Sequence, residues 1–421
     1  MLDARAAAKT MKIRKPVLSS NGKWTRVTAQ IEIGDDIKSL WFEVEEEYGQ
    51  YLCHERSDAY LIGLLWIAMV NHYDIECEAP VTGELLHQVE TTLIPSLVKN
   101  SGVMRAPKIT CPIEPNPLTN IGAVGTGMSC GVDSLHTIKA YYQHSLPNFR
   151  LTHLSVYNVG AFGLYDICKA ETQFKWQVEN SRRLADELGL KLVAGNSNFK
   201  NEFFTDHRYT CTYVNMFGVL MLQKLWGVYF YASLGCGMEK FSVVNADRVD
   251  AAHYDSLALD CYSTRNLKIY SEAAALSRFE KTRAIVELPL SRKYLHVCCL
   301  DNGRNCGKCF KCKRTLVSLD ALGVVDQYGE VFDVGYYKKH RTRYMCWLLA
   351  QVYGRTHEND LIHEAYVMLR GSIPWYCHVP GVLVGVKERI KSWAKNSLFV
   401  YQLYFRLRGY PIRGCSTLYN G

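Results

Sequence analysis

Small and polar residues crowd one short stretch, Gly127 to Ile138, which reads GMSCGVDSLHTI. The run NIGAVGTG before it has the character of a buried strand, and a helical pattern follows from Leu135 to Tyr142. A turn between a strand and a helix N-terminus presents backbone N–H groups and a positive dipole end to an anion. Hydroxyl groups of Ser129 and Ser134 add hydrogen bonds, and glycine lets a phosphate approach the backbone closely. The stretch therefore predicts a phosphate site, and an ordinary turn capped by Asp or Ser is the alternative.

Thiols form a second cluster, in the run VCCLDNGRNCGKCFKCKRT. Cys306, Cys309 and Cys312 follow the spacing C-x2-C-x2-C, and Cys298 or Cys299 stands eight or seven positions before them. Four thiolates within fifteen residues can surround one Zn²⁺ tetrahedrally. An iron–sulfur cluster is the alternative for the same ligands. The spacing predicts a metal site of cysteines, with zinc as the first choice.

The first cluster resembles the pyrophosphate loop, SGGxDS, of the N-type ATP pyrophosphatases, the PP-loop superfamily. The resemblance implies a parallel-sheet, adenine nucleotide α-hydrolase-like (Rossmann-like) core that binds ATP and Mg²⁺. The loop would hold the β- and γ-phosphates while the α-phosphate is attacked, and the products would be AMP and pyrophosphate. It assigns ATP binding to six residues: Ser129, Cys130, Gly131, Val132, Asp133 and Ser134. Asp133 and Ser134 are also expected to be catalytic.

Cys130 stands where this superfamily usually has its first glycine. One interpretation is a small residue that the loop tolerates. The other is a nucleophilic thiol, because the N-terminus of a helix lowers the pKa of a cysteine.

Taken together, the loop and the cysteines, about 165 residues apart, resemble the 7-cyano-7-deazaguanine synthases of the queuosine pathway. The resemblance covers about residues 119–320, and NCGKCFKCKRT is similar to the zinc knuckle of that family. The family has eight residues between its first two cysteines, so Cys298, with seven, fits better than Cys299. The resemblance implies a ligase that adenylates a small-molecule carboxylate or carbonyl oxygen for attack by ammonia or another nucleophile. A sulfur transferase that modifies tRNA or a nucleobase is the alternative within the same superfamily.

The chain divides into three predicted parts. Residues 1–118 contain strands in which hydrophobic and polar residues alternate, and two helices, as is typical of a small α+β domain. Residues 119–325 alternate strand and helix, which predicts a parallel sheet with ligands at the carboxyl ends of its strands. This central PP-loop domain carries the knuckle at 298–312. Residues 326–421 are predicted to be helical and basic.

Two basic residues could reach the triphosphate from the helix that LSRFEKTRAI predicts. Ser277 and Glu280 have the spacing of a capping box, which fixes the start of this helix. Arg278 is expected to bind ATP, and Lys281, about one turn later, is expected to be catalytic.

Other candidates are single polar residues at predicted strand ends. Asn158 and Gly160 follow the second strand of the central domain, where related folds bind adenine. His253, Asp255 and Asp260 lie in a polar stretch after a later strand and are candidate substrate contacts.

Composition excludes several classes. With 48% hydrophobic and 21% charged residues, the 421-residue chain is predicted to be globular and not disordered. Its N-terminus lacks the apolar region of a signal peptide, and no long apolar run is free of charge. Sixteen cysteines in such a chain indicate reduced thiols or metal ligands, which favours the cytoplasm and no membrane.

Positive charge concentrates at the C-terminal end. Residues 337–421 contain 13 Lys and Arg against 4 Asp and Glu, a net charge of +9. Since the whole chain has a net charge of +8, residues 1–336 have a net charge near −1. We favour a solvated helical face over a nucleic-acid partner. The expected partner is a small-molecule substrate, and a homodimer is the default assembly.

Overall fold

The computed structural model describes residues 9–163, 167–203, 205–233, 238–300, 303–354 and 357–396. The chain forms two compact units, Met1–Leu276 and Ser277–Gly421. Thirteen strands lie among the described residues, all in the first unit. They are β1 Thr10–Ile13, β2 Val17–Ser20, β3 Trp24–Ile33, β4 Asp36–Glu45, β5 Asp74–Cys77, β6 Val81–Thr82, β7 Ile109–Thr110, β8 Ile113–Glu114, β9 Ala123–Gly127, β10 His153–Asn158, β11 Lys191–Ser197, β12 Trp226–Ala232 and β13 Lys268–Glu272.

Five parallel strands form one end of the large sheet, in the spatial order β13-β12-β9-β10-β11. Numbered by their sequence and read from β11, these strands run 3-2-1-4-5. The chain therefore moves outward on one side of β9 and then crosses back to continue on its other side. The carboxyl ends of β9 and β12 flank this switch point, where open parallel sheets have their crevice.

Eight helices of the described residues belong to the first unit. They are α1 Asp58–Asn71, α2 Gly83–Gln88, α3 Ile94–Lys99, α4 Val132–Tyr141, α5 Ala170–Leu188, α6 Phe199–Glu202, α7 His207–Met221 and α8 Asp255–Tyr262. Helix α4 contacts β9 and β12, and α5 contacts β10 and β11. Helix α1 is buried almost all round and packs on α7, as expected for a helix without a polar face. In the described part of the chain, we find no helix with the length and apolarity needed to cross a membrane.

The first 118 residues continue the same sheet. Strand β4 pairs antiparallel with β11, with Val44 opposite Gly195 and Phe42 opposite Ser197. Gly195 permits this close packing, because a Cβ there would lie 2.3 Å from Cζ of Phe42 and 2.8 Å from Cδ1 of Tyr157. The division of the chain thus differs from the predicted boundary at 118: the N-terminal part and the parallel strands share one sheet and one core.

The regular elements among the described residues of the second unit are all helices, as the sequence predicts for its C-terminal part. Its helices are α9 Arg278–Val286, α10 Leu290–Tyr294, α11 Phe310–Ala321, α12 Val334–Lys339, α13 Arg341–Gly354, α14 His357–Leu369 and α15 His378–Asn396. The predicted capping box of Ser277 and Glu280 opens α9. This unit includes the cysteine cluster, so the predicted boundary at 325 also differs from the observed division after Leu276.

Candidate functional site

The loop after β9 begins the candidate phosphate site. Strand β9 ends at Gly127, the Met128 N–H donates to the carbonyl of Ser155 on β10, and α4 starts at Val132. The Ser129 and Ser134 hydroxyl oxygens are 3.3 Å apart, and the Ser129 oxygen also lies 3.3 Å from the Gly131 amide nitrogen. The sequence-predicted order of strand, turn and helix is therefore present, with both serines together.

Gly131 is the N-cap of α4 and has no side chain with which to make a capping hydrogen bond. This differs from an ordinary turn capped by Asp or Ser. The first turn contains Asp133 and the buried Ser134, whose hydroxyl donates to the Gly131 carbonyl at 3.1 Å. Backbone N–H groups at the start of an α-helix lack intrahelical acceptors, so this end of α4 is suited to an anion.

Cys130 points away from the loop surface into the protein. Its φ is +56°, in the left-handed region that favours glycine, and its side chain is fully buried. Asn180 Nδ2 and Gln177 Nε2 on α5 approach its sulfur to 3.3 and 3.5 Å. Burial raises the pKa of the Cys130 thiol to about 11. Its burial and this shift of the pKa away from neutrality argue against the interpretation as a nucleophile. The tolerated-residue interpretation agrees with this geometry, although the thiol is held by polar groups of α5.

A buried acid–histidine pair lies beside α4, and the sequence analysis missed it. Glu272 is the last residue of β13, and its carboxylate lies 3.2 Å from Nδ1 of His136. Thr137 donates its hydroxyl to the same carboxylate at 3.0 Å. These residues join α4 to the carboxyl end of a strand two positions away from β9 in the sheet. The glutamate at the end of the run LKIYSE was the available signal, but its partner is 136 positions earlier.

Asn158 lies in a pocket of about 790 Å³ at the carboxyl ends of β10 and β11. Trp24 and Trp41 of the β3–β4 hairpin line it, together with Phe174 of α5 and Lys200. Its size is within the range of small-molecule sites. The sequence indicated Asn158 but none of these neighbours, because they come from four separate elements.

A row of hydrogen-bonded side chains crosses four strands at this pocket. Asn158 donates to Asn196 at 2.9 Å, Asn196 donates to Glu43 at 3.1 Å, and Arg26 donates to Glu43 at 2.6 Å. Arg26 also lies over the Trp41 ring, 3.9 Å from its centroid. The row fixes the amide of Asn158, so the pocket has a rigid polar end beside its aromatic walls.

The remaining candidates of the first unit are distant from the loop in sequence, and the contacts described below are with other residues of that unit. Gly160 has a φ of +144°, and a Cβ there would be 3.3 Å from Nδ1 of His207. Asp255 is buried and accepts a hydrogen bond from Ser271, and His253 Nδ1 lies 3.1 Å from the Asp250 carbonyl oxygen. Asp255 and Asp260 lie in α8, so the polar stretch that contains these candidates is partly helical.

Arg278 and Lys281 lie in the second unit, on α9. Lys281 is fully buried, which is rare for a lysine. Their approach to a triphosphate stays a prediction.

The cysteine cluster is assembled in the second unit. The Sγ atoms of Cys298, Cys306, Cys309 and Cys312 all lie within 4.8 Å of one another, and those of Cys306 and Cys312 are 4.0 Å apart. A tetrahedral zinc site with Zn–S bonds of about 2.3 Å separates its sulfurs by about 3.8 Å. The four residues therefore fit one zinc ion, and the geometry selects Cys298 over Cys299. A [4Fe–4S] cluster would hold each thiolate on a different iron atom and needs sulfurs farther apart.

Backbone and side-chain hydrogen bonds prepare this cluster for a cation. The N–H groups of Lys308 and Cys309 donate to the Cys306 sulfur at 3.4 and 3.3 Å. Hydrogen bonds from the Cys298 and Cys312 side chains lower the pKa of the Cys309 thiol. Hydrogen bonds with the Cys298 and Cys309 side chains raise the pKa of the Cys312 thiol. The neighbouring thiols thus stabilise Cys309 as a thiolate by donating hydrogen bonds to it. A bound metal ion would release the protons of those thiols.

Comparison with known proteins adds no assignment. No protein-family model matches the chain, and searches of curated proteins and of solved structures found no significant match. Function must therefore be inferred from the geometry of these residues.

Proposed function

We propose that this protein is an ATP-dependent ligase that forms AMP and pyrophosphate while it activates a carboxylate or carbonyl oxygen of a small molecule. The observation that carries the proposal is the Ser129–Ser134 loop at the switch point of a 3-2-1-4-5 parallel sheet. Open parallel sheets with this order bind nucleotides at that point. The uncapped start of α4 there agrees with a loop built to hold phosphates rather than only to turn the chain.

Each residue of the loop has a chemical task in this proposal. The N–H groups at the start of α4 and the hydroxyls of Ser129 and Ser134 would hold the β- and γ-phosphates as the leaving group. Such donors, fixed before the reaction, stabilise charge that develops on the pyrophosphate. Asp133, in the first turn, would position Mg²⁺, which neutralises phosphate charge when bound. Glu272 and His136 would hold α4 against the sheet.

The pocket at Asn158 supports a small molecule as the acceptor. It adjoins the strand next to β9, and it offers indole rings, amide groups and charged side chains within one cavity. Its fixed amide end would orient the substrate, and the aromatic walls would exclude water from it. Zinc on the four cysteines would have a structural task, because four protein thiolates leave no open coordination position.

The test uses two readouts on the full-length, zinc-loaded protein. The first is Mg·ATP binding by isothermal titration calorimetry, which needs no second substrate. The second is formation of AMP and pyrophosphate from ATP with a pool of organic acids and ammonium. Ser134→Ala should weaken binding about tenfold, since a hydrogen bond to a charged group contributes about 1.5–3 kcal/mol. Asp133→Ala and Ser134→Ala should each lower AMP formation at least 100-fold.

Asp35→Ala and Ser145→Ala are the matched controls, because both residues are exposed and outside the loop: Asp35 lies between β3 and β4, and Ser145 follows the C-terminal end of α4. They should leave binding and turnover unchanged. ADP and phosphate as products, or full turnover in both loop variants, would overturn the proposal.

A further inference from the structure

One side of the second unit combines aromatic rings with positive charge. Helices α12 and α13 follow each other with only His340 between them. His340 follows Tyr336 by four residues at the end of α12, and Arg343 and Trp347 are four residues apart on α13, so Arg343 and Trp347 share one side of that helix. The rings of Tyr336 and His340 stack with centroids 4.0 Å apart. Two of the rings are thereby held in a fixed orientation.

The metal knuckle contributes lysines to the same side. Lys308 Nζ lies 5.8 Å from the centroid of the Tyr336 ring, and Lys313 Nζ lies 5.7 Å from that of the Trp347 ring. Tyr344 donates its hydroxyl to the Gly307 carbonyl at 2.9 Å, which fixes the knuckle on α13. We call the surface formed by Lys308, Lys313, Tyr336, His340, Arg343 and Trp347 the knuckle face.

The positive charge of this face exceeds the negative charge of a zinc ion bound by the four cysteine thiolates. Zinc with four thiolates has a net charge of −2. The three cations of the knuckle face, Lys308, Lys313 and Arg343, add +3, so the sum is +1.

The nearby acids are engaged elsewhere. Asp320 accepts from Arg341 and Tyr337, and Asp326 pairs with Lys338 at 2.5 Å. Asp333 caps α12 by accepting from the Tyr336 N–H. Lys308 and Arg343 are exposed, and the three rings are half-buried. The knuckle face therefore presents net positive charge interleaved with rings.

We propose that the knuckle face binds single-stranded nucleic acid, with bases against the rings and phosphates at the lysines and arginine. Single strands are bound by such alternation of cations and stacking platforms. A duplex hides its bases and would use only the charges. An acidic protein segment would also use only the charges. This function goes beyond the proposed ligase activity and does not depend on it.

Fluorescence anisotropy of the full-length, zinc-loaded protein tests the proposal. The probes are fluorescein-labelled 12-mers of single-stranded RNA and DNA, a 12-base-pair duplex and a polyglutamate peptide of equal charge. Both single strands should bind at least tenfold more tightly than the duplex and the peptide. A difference between RNA and DNA would identify which source supplies the strand. Affinity should fall with salt with a slope of about −2 to −3 for three or four phosphate contacts.

Two sets of variants separate charge from stacking. The double variant Lys308→Glu, Arg343→Glu should weaken binding at least tenfold, and Lys15→Glu, Lys23→Glu should not, although it changes charge equally at exposed sites of the first unit. Tyr336→Leu should weaken binding about tenfold, as loss of one stacked base does. Zinc content and the unfolding temperature establish that each variant is folded.

Three outcomes would overturn the proposal. They are no binding of either strand at 50 mM salt, equal losses in the two double variants, and equal affinity for strands and peptide. The last would identify the face as a docking site for acidic proteins.

Discussion

The Ser129–Ser134 loop and the cysteine cluster are built in opposite ways. The cluster takes all four side chains from fifteen residues, and its geometry depends on one knuckle and the start of α11. The loop depends on backbone placed by a sheet, and its supports come from α5, from β10 and from Glu272, which is 139 positions after Asp133. A local site can therefore be lost through one ligand. A distributed site shares its stability with the whole unit.

The largest expected effect is at the local site. Cys309 is a cluster thiol and also the N-cap of α11, where its sulfur accepts from the Cys312 N–H. Cys309→Ser keeps a good N-cap but removes a thiolate. Because metal binding is part of the folding free energy at such sites, we expect zinc to be lost and the second unit to be destabilised by at least about 3 kcal/mol. Metal analysis and thermal unfolding measure both effects.

Cys299→Ser is the matched control for that variant, since Cys299 is adjacent to Cys298 but outside the cluster. It should retain one zinc per chain. Zinc lost in the control and kept in Cys309→Ser would mean that the ligand set is misassigned.

A medium effect is expected where the sheet supports the distributed site. Gly195→Ala places a methyl group against Phe42 and Tyr157, and such overpacking costs about 1–3 kcal/mol. Urea unfolding of the first unit should show this loss. Gly102→Ala is the control, because a Cβ there meets no atom within 4 Å. Equal stability of the two variants would mean that the join between β4 and β11 is looser than the structure indicates.

The smallest effect concerns Cys130. With a pKa of about 11, its thiol holds less than about 0.1% thiolate at pH 7.5, against about 10% for an ordinary thiol. Alkylation by iodoacetamide, mapped by mass spectrometry, should be at least 100-fold slower than at the exposed Cys168. Because the folded pKa is raised, the stability linked to this proton is present below about pH 9 and is lost as pH rises toward 11. Rapid alkylation of native Cys130 at neutral pH would contradict its burial.

The sequence predicted what is local. The spacing of Cys306, Cys309 and Cys312, the strand–turn–helix order around Ser129 and the capping box at Ser277 are each contained in short segments, and the structure has all three. Only Cys298 against Cys299 needed coordinates, because both spacings are compatible with a knuckle.

What the sequence left open involves distant partners. Nothing near Asn158 indicates that Asn196 and Glu43 extend its hydrogen bonds across four strands. Likewise, nothing near His136 indicates Glu272. The predicted boundary at 118 has the same origin, since local strand and helix patterns do not reveal that β4 pairs with β11.

That pairing has a practical consequence for dissecting the molecule. A fragment that begins at residue 119 would keep the loop and all five parallel strands but lose the neighbour of β11. The N–H and C=O groups that β11 directs toward β4 would then form an open sheet edge, a template for association with other chains. The hydrophobic face that Phe42 and Val44 cover would be exposed beside it. Such a fragment should aggregate. Experiments on the Ser129–Ser134 loop therefore need a protein that includes the first 118 residues.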